Sequence, residues 1–238
     1  MTDELNYLER GITSLNLSFD KVIFDRLLYY KKLVLEANQN LNLTSVTDDK
    51  KFIELHIIDS LSICHMLKGS EKFIDIGSGA GFPGVILKII HPALDLTVLD
   101  SLKKRLIFVE NAAKTIGLDD INFAHARAED ASHTEEFREK FDAATARAVA
   151  PLAQLCEYCI PYVRKGGRFI AMKGSSADDE LQKAGKTHSI LGCDTPQISR
   201  LELFDSGAQR SILVYNKISY TPPEYPRKQG LIKKYPLF

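Results

Sequence analysis

The stretch Phe73-Ile74-Asp75-Ile76-Gly77-Ser78-Gly79-Ala80-Gly81-Phe82-Pro83-Gly84 constrains this chain more than any other. Phe73, Ile74 and Ile76 form a short β-favouring run that Gly77 stops. Gly77, Gly79 and Gly81 then let the backbone turn at positive φ and approach a ligand closely. Pro83 suits a first helical position, where its missing N–H loses nothing. A strand, a glycine bend and a helix start, in that order, aim free N–H groups at whatever lies above the strand ends. The expected element is a nucleotide-type binding loop.

Residues 79–84 also fit the dinucleotide pattern G-x-G-x-x-G, a weak signal when it stands alone. Asp100 closes the next strand-like run, Leu96 to Leu99, about 20 residues on, where a carboxylate can take ribose hydroxyls. NAD and S-adenosylmethionine both carry such a ribose, so Asp100 does not separate them. Asp75 favours the second, since a carboxylate there repels a pyrophosphate and attracts an ammonium and a sulfonium. The element order points the same way. Strand-like runs near 73–76, 96–100, 121–124, 141–146 and 168–173 alternate with helical patterns, which predicts a parallel sheet covered on both faces. Runs at 198–204 and 211–218 are joined only by Asp205-Ser206-Gly207, too short for a crossover helix, so they pair as an antiparallel hairpin. The expected fold is therefore α/β, a Rossmann-like class I S-adenosylmethionine-dependent methyltransferase of five parallel strands plus a C-terminal hairpin. A dinucleotide dehydrogenase continues instead with a sixth parallel strand.

With 238 residues, 45% of them hydrophobic, the chain can bury one large core and a small extension. Residues 1–67 read as a helical extension. Ser18 or Asp20 can cap a segment through Ile23, Phe24, Leu27, Leu28, Val34 and Leu35. A second helical pattern interleaves His56 and Asp59 with Phe52, Leu55, Ile58 and Leu61. The extension is expected to be a cap without chemistry of its own, with His56 either packed or lining a cleft. Residues 68–218 make the methyltransferase-like domain, and 219–238 an extended basic tail. Net charge is zero, which argues against an evenly basic nucleic-acid coat. The charge is segregated, however. Residues 209–238 carry six basic residues against one acid, whereas 119–142 carry eight acids against three bases. Such polarity suits docking on a phosphate backbone from one side, so Arg227, Lys228, Lys233 and Lys234 are expected to bind RNA. No basic-then-apolar leader and no membrane-length apolar run is present. Four cysteines in that context read as reduced thiols of a cytoplasmic protein. Cys156-x-x-Cys159 lacks a second pair for zinc and reads as packing. A monomer without metal or membrane partner is expected.

Ligands of such sheets bind outside the carboxyl ends of the strands. There the loop (Gly77, Gly79, Gly81, Phe82) would meet a methionine moiety and Asp100 a ribose. Ala128 and Glu129 would sit beside adenine, with Arg147 and Lys173 flanking the acceptor. Arg147 would take a guanine O6, a phosphate or the cofactor carboxylate, or else pair with Asp142 or Glu129. Carbon methylation of a pyrimidine needs a cysteine just after the fourth strand, and Cys156 lies too far along. Amine methylation usually uses an acidic or amide side chain followed by prolines at that exit, where this chain has Arg147-Ala148-Val149-Ala150. An acceptor with its own lone pair, such as guanine N7, needs no base. Catalysis is then alignment plus accommodation of moving charge.

At this point the chain resembles the glucose-inhibited division protein B family, bacterial 16S ribosomal RNA guanine-N7 methyltransferases. The resemblance runs nearly end to end. It rests on Asn42-Leu43-Thr44, His56-Ile57-Ile58-Asp59-Ser60, the glycine stretch, Asp100-Ser101-Leu102-x-Lys104-Arg105, Arg127-Ala128-Glu129, Thr145-Ala146-Arg147-Ala148, Lys173-Gly174 and Tyr225-Pro226-Arg227-Lys228-x-Gly230. It implies S-adenosylmethionine as cofactor and methyl transfer to N7 of one guanine, with 16S ribosomal RNA or the small ribosomal subunit as partner. Gly77, Phe82, Ala128, Glu129 and Arg147 match the positions that the family uses around the cofactor. The chain departs from the family in lacking tryptophan altogether and in carrying Leu231-Ile232 in the tail. The rival readings are a small-molecule or protein methyltransferase on the same fold, an NAD-linked oxidoreductase, and a non-catalytic RNA-binding protein.

Overall fold

The computed structural model describes residues 3–238. Its strands are β1 (Lys72–Ile76), β2 (Asp95–Asp100), β3 (Ile121–His125), β4 (Phe141–Arg147), β5 (Val163–Lys173), β6 (Gln197–Glu202) and β7 (Gln209–Asn216). They form one sheet in the order β3-β2-β1-β4-β5-β7-β6. Every pairing from β3 across to β5 is parallel, and β7 runs antiparallel to both β5 and β6. The parallel sheet with a terminal hairpin is the expected one, and among the described residues the strands after β5 pair antiparallel. Strand order reverses between β1 and β4, so the loops leaving these two strands diverge and open a crevice.

Period-two alternation decides which side chains face which layer. Phe73 packs on one face of the sheet, while Ile74 and Ile76 pack on the other. The first face is covered by α1 (Asp3–Ser14), α2 (Lys21–Leu41), α3 (Asp49–Phe52), a π-helical turn at Ile53–Ile58, α4 (Asp59–Leu61), α5 (Gly84–Ile90) and α6 (Lys103–Thr115). Asp20 caps α2 by accepting from the Ile23 N–H at 3.1 Å. Leu8, Ile12, Leu27, Tyr30 and Phe52 share one buried cluster with Phe73, Val85 and Leu96. The N-terminal helices thus complete the domain core rather than cap it from outside. The second face is covered by α7 (Ala128–Ala131), α8 (Leu152–Cys159), α9 (Ala177–Ala184) and α10 (Thr187–Ile190).

The tail is not an extended arm. Arg138 donates to the carbonyls of Thr221, Pro222 and Tyr225 at 2.9, 3.1 and 2.9 Å. Beyond this strap, α11 (Gln229–Lys234) lies against α8 with Ile232 fully buried. The apolar Ile232 has a place in the second core, and that burial offsets the entropy of ordering the segment. Among the described residues no helix is long and apolar enough to cross a membrane.

Candidate functional site

The loop after β1 is held by its own backbone and by Asp100. Gly77 has φ +70°, and its N–H donates to the Leu99 carbonyl at 2.7 Å. A Cβ on Gly77 would stand 2.7 Å from Val149 Cγ2 and would hold a left-handed φ, so any other residue strains the bend and displaces Val149. Asp100, buried at the end of β2, accepts from the Gly79 N–H at 3.0 Å and the Leu102 N–H at 2.8 Å. Its carboxylate still has lone pairs left for a ligand hydroxyl. From the other side, the Tyr30 hydroxyl donates to the Ala80 carbonyl at 2.8 Å, which ties the loop to α2.

Above the ends of β1 to β4 lies a cleft of about 480 Å³, lined by Gly77, Asp100, Ala128, Glu129, Pro151 and Tyr158 among others. Gln229 and Lys233 of α11 complete its wall. The Tyr158 hydroxyl is buried there without a hydrogen-bond partner among the described residues. Burial, reinforced by Glu129, pushes its pKa up, so it stays a neutral donor. An orphaned hydroxyl on a cleft wall is a group that a ligand would satisfy.

A second cavity of about 450 Å³ shares Ala148 with the cleft. Ala148 has φ +56°, a left-handed conformation that costs a non-glycine residue ~1–2 kcal/mol. Strain of this kind concentrates at functional sites. Arg147, beside it, donates to Asp59 Oδ2 at 2.8 Å and to the Leu55 carbonyl at 3.1 Å. The π-helical turn frees that carbonyl from regular α-helical pairing. Arg210 of β7 donates to the other Asp59 oxygen at 2.8 Å, so one buried carboxylate pins two guanidinium groups. Lys173 donates to the Ala150 carbonyl at 2.9 Å and pairs with Glu180 at 2.6 Å.

His56 stacks on Phe82, with ring centroids 5.0 Å apart and planes 10° from parallel. Burial, then the Arg147 charge, pushes its pKa down to about 3. Its Nδ1 lies 3.3 Å from Arg147 Nη2 and its Nε2 2.7 Å from Thr44 Oγ1. Arg147 can only donate, which assigns the imidazole proton to Nε2. The ring is neutral, and both of its nitrogens are engaged.

The structure thus brings Gly77, Asp100, Ala128 and Glu129 to the cleft, and Arg147 and Lys173 to the neighbouring cavity. Other expectations need correction. Asp75 does not face the cleft. Alternation turns it to the Phe73 face, where its Oδ2 accepts from Ser78 Oγ at 2.7 Å and the Gly84 N–H at 2.8 Å. Burial pushes it up to about 6, and it props the loop from beneath. Gly79 and Gly81 shape the bend, both at positive φ, without lining the cleft. Phe82 is buried, with Arg147 Cζ 5.4 Å from its ring centroid. Arg147 pairs with Asp59, not with Asp142 or Glu129.

The basic tail is corrected most. Arg227 forms a two-pronged pair with the fully buried Glu157, at 2.9 and 2.7 Å, and is not free for RNA. Arg210 and Lys217, which swelled the charge count, are likewise paired, with Asp59 and Glu139. Lys228 and Lys234 remain exposed, and Lys233 edges the cleft. Sequence reasoning missed Asp59, Arg210, Tyr158 and Gln229. The polar Asp59 on an apolar helical face was the one available signal. Cys156 lines neither cavity, and burial pushes its thiol up to about 12.

A family model described as GidB, rRNA small subunit methyltransferase G, matches residues 23–208. A protein named ribosomal RNA small subunit methyltransferase G from Clostridium novyi (strain NT) is 42% identical over 226 residues, covering 94% of this chain and 93% of that protein. One of the same name from Alkaliphilus oremlandii (strain OhILAs) is 42% identical over 232 residues, 97% of each chain. Among solved structures, an O-methyltransferase from Bacillus cereus in complex with SAH superposes with a TM-score of 0.58 at 13% identity, over 88% of this chain and 96% of that one. A precorrin-6y C5,15-methyltransferase from Geobacter metallireducens gives 0.51 at 14% identity, over 66% and 85%. At such identities the superpositions speak for the fold.

Proposed function

The chain belongs to the rRNA small subunit methyltransferase G family, and we propose that it transfers a methyl group from S-adenosylmethionine to N7 of one guanine in small-subunit (16S) ribosomal RNA. When bound, that cofactor supplies an electrophilic methyl group on a sulfonium centre. The cleft suits it. Asp100 keeps acceptor capacity for the ribose hydroxyls, Gly77 lets the loop approach closely, and Glu129 can accept from an adenine amine. The orphaned Tyr158 hydroxyl offers one more bond.

The second cavity would take the target nucleotide. Arg147, fixed by Asp59, offers a rigid cation to a guanine O6 or a phosphate, and Lys173 a second donor close by. Neither can accept a proton. His56 is held as a poor base by burial and by Arg147, and the carboxylates Asp59 and Glu180 are occupied by cations. Nothing lining this cavity among the described residues is a competent base near neutral pH. The acceptor must then bring its own lone pair, as guanine N7 does, and the protein contributes alignment and electrostatics. The observation that carries the reading is this pair of cavities meeting at Ala148, one equipped for a nucleoside and the other cationic and without a base.

The test is incubation with labelled methyl donor and small subunits from a strain lacking the enzyme, followed by mass mapping. Label on one guanine, released as 7-methylguanine, is the expected result. Label on a pyrimidine, on an exocyclic amine or on protein refutes it.

A further inference from the structure

Three of the six basic residues of 209–238, Arg210, Lys217 and Arg227, are consumed by carboxylates inside the fold, so a phosphate-binding surface has to draw on cations from other elements as well. Three cations rim the mouth of the nucleoside cleft from three separate elements. Arg105 lies in the first turn of α6, Arg127 between β3 and α7, and Lys233 near the end of α11. Arg127 and Lys233 are exposed and Arg105 half-buried. Arg147, Arg210 and Arg227 are each pinned to a buried carboxylate. Arg105, Arg127 and Lys233 have no such partner among the described residues. Among the described residues the only carboxylates lining the same cleft are Asp100 and Glu129, and both are buried.

Three unpaired cations exceed what the methyl donor can use, since it bears a sulfonium, an ammonium and one carboxylate but no phosphate. They suit an anion that arrives from outside. We propose that Arg105, Arg127 and Lys233 form the docking surface for the phosphate backbone of the substrate RNA, which lies across the mouth of the donor cleft and closes it. The inference rests on the functional reading above and adds where the RNA lies. Both cavities meet at Ala148 and are built on the loops that leave the strand ends. A strand whose target nucleotide enters the second cavity has its neighbouring phosphates at hand for the rim of the first. Closure of the cleft by RNA also sets an order. The donor enters before the RNA, and its demethylated product leaves only after the RNA has gone.

The test compares the wild-type chain with Arg105→Gln/Arg127→Gln/Lys233→Gln. RNA affinity is measured over a series of salt concentrations, with S-adenosylhomocysteine affinity by calorimetry and its dissociation rate with and without small-subunit RNA. The triple variant should flatten the plot of log affinity against log salt by about 2 to 3, since each lost phosphate contact removes ~0.7–0.9 of slope. Its affinity for S-adenosylhomocysteine alone should fall far less than its affinity for RNA, and RNA should slow release of that product from the wild type but not from the variant. An unchanged salt slope, or loss of S-adenosylhomocysteine affinity at constant slope, overturns the docking surface while leaving methyl transfer intact. A wild-type chain that transfers no methyl to RNA overturns the functional reading, and this surface with it.

Discussion

Arg227 separates a structural from a nucleic-acid role more sharply than any other residue. Glu157 is fully buried and accepts three hydrogen bonds from it, from the backbone N–H at 2.8 Å, Nε at 2.9 Å and Nη2 at 2.7 Å. Arg227→Met keeps the stem and the backbone N–H but removes both guanidinium bonds, leaving a buried carboxylate with one donor. Removing one partner of a buried pair costs ~3–5 kcal/mol. The surviving backbone bond, together with the 23% exposure of the Arg227 side chain, places this case near the lower end, about 3 kcal/mol. For a chain of 238 residues that is a fall in Tm of ~6–12 °C. Urea unfolding of the full chain, followed by circular dichroism, reads it directly. Glu157→Leu/Arg227→Met removes the stranded charge as well and should recover most of the loss. The salt dependence of RNA binding should not change in either variant. If Arg227→Met is as stable as the wild type and flattens the salt slope by about 1, Arg227 faces phosphate and the buried pair has been misjudged.

Asp100→Ala should weaken S-adenosylhomocysteine binding by ~10–100-fold, the value of hydrogen bonds to a charged acceptor, and leave RNA affinity alone. Undiminished affinity in calorimetry would remove Asp100 from the donor site. Gly77→Ala meets both a left-handed φ and Val149, and should lose about 2 kcal/mol in urea unfolding; a fully stable variant would show that the loop relaxes freely. His56 has a folded pKa of about 3 against an ordinary 6.5, so the unfolded chain binds its proton first as pH falls. Its contribution to stability is present above 6.5 and is lost on the way down to about 3. Asp75, raised to about 6 from 3.8, acts in the opposite sense, since the folded form takes up its proton first. His56→Gln should therefore flatten the acid decline of the urea midpoint, and an identical decline would show that His56 is not buried neutral. With no base titrating near neutrality, kcat should hold level from about pH 6.5 to 8.5, and a rising limb in that range would reveal a base.

What could be read from the sequence was local. The glycine bend needs only its own neighbours, and the β6–β7 hairpin follows from three turn residues too few for a helix. The alternation of strands and helices likewise carried the parallel sheet. The direction of Asp75 is legible in the alternation, since it shares parity with Phe73, whereas charge complementarity to a sulfonium points the other way. The pairings that correct the site could not be read. Arg147 and Asp59 are 88 positions apart, and Arg227 and Glu157 are 70 apart. Nothing in a linear pattern says which distant carboxylate a cation will find, so a charge count treats every arginine as free. The π-helical turn that exposes the Leu55 carbonyl has no compositional mark either, and α11 is short, with only Leu231 and Ile232 as apolar residues in its six positions.

Ala148 touches both chambers, and this makes the energetics of their occupants mutual. Whatever factor the first guest applies to the affinity of the second, the second returns to the first in equal measure. A single methyl-bearing residue is thus a boundary common to both compartments.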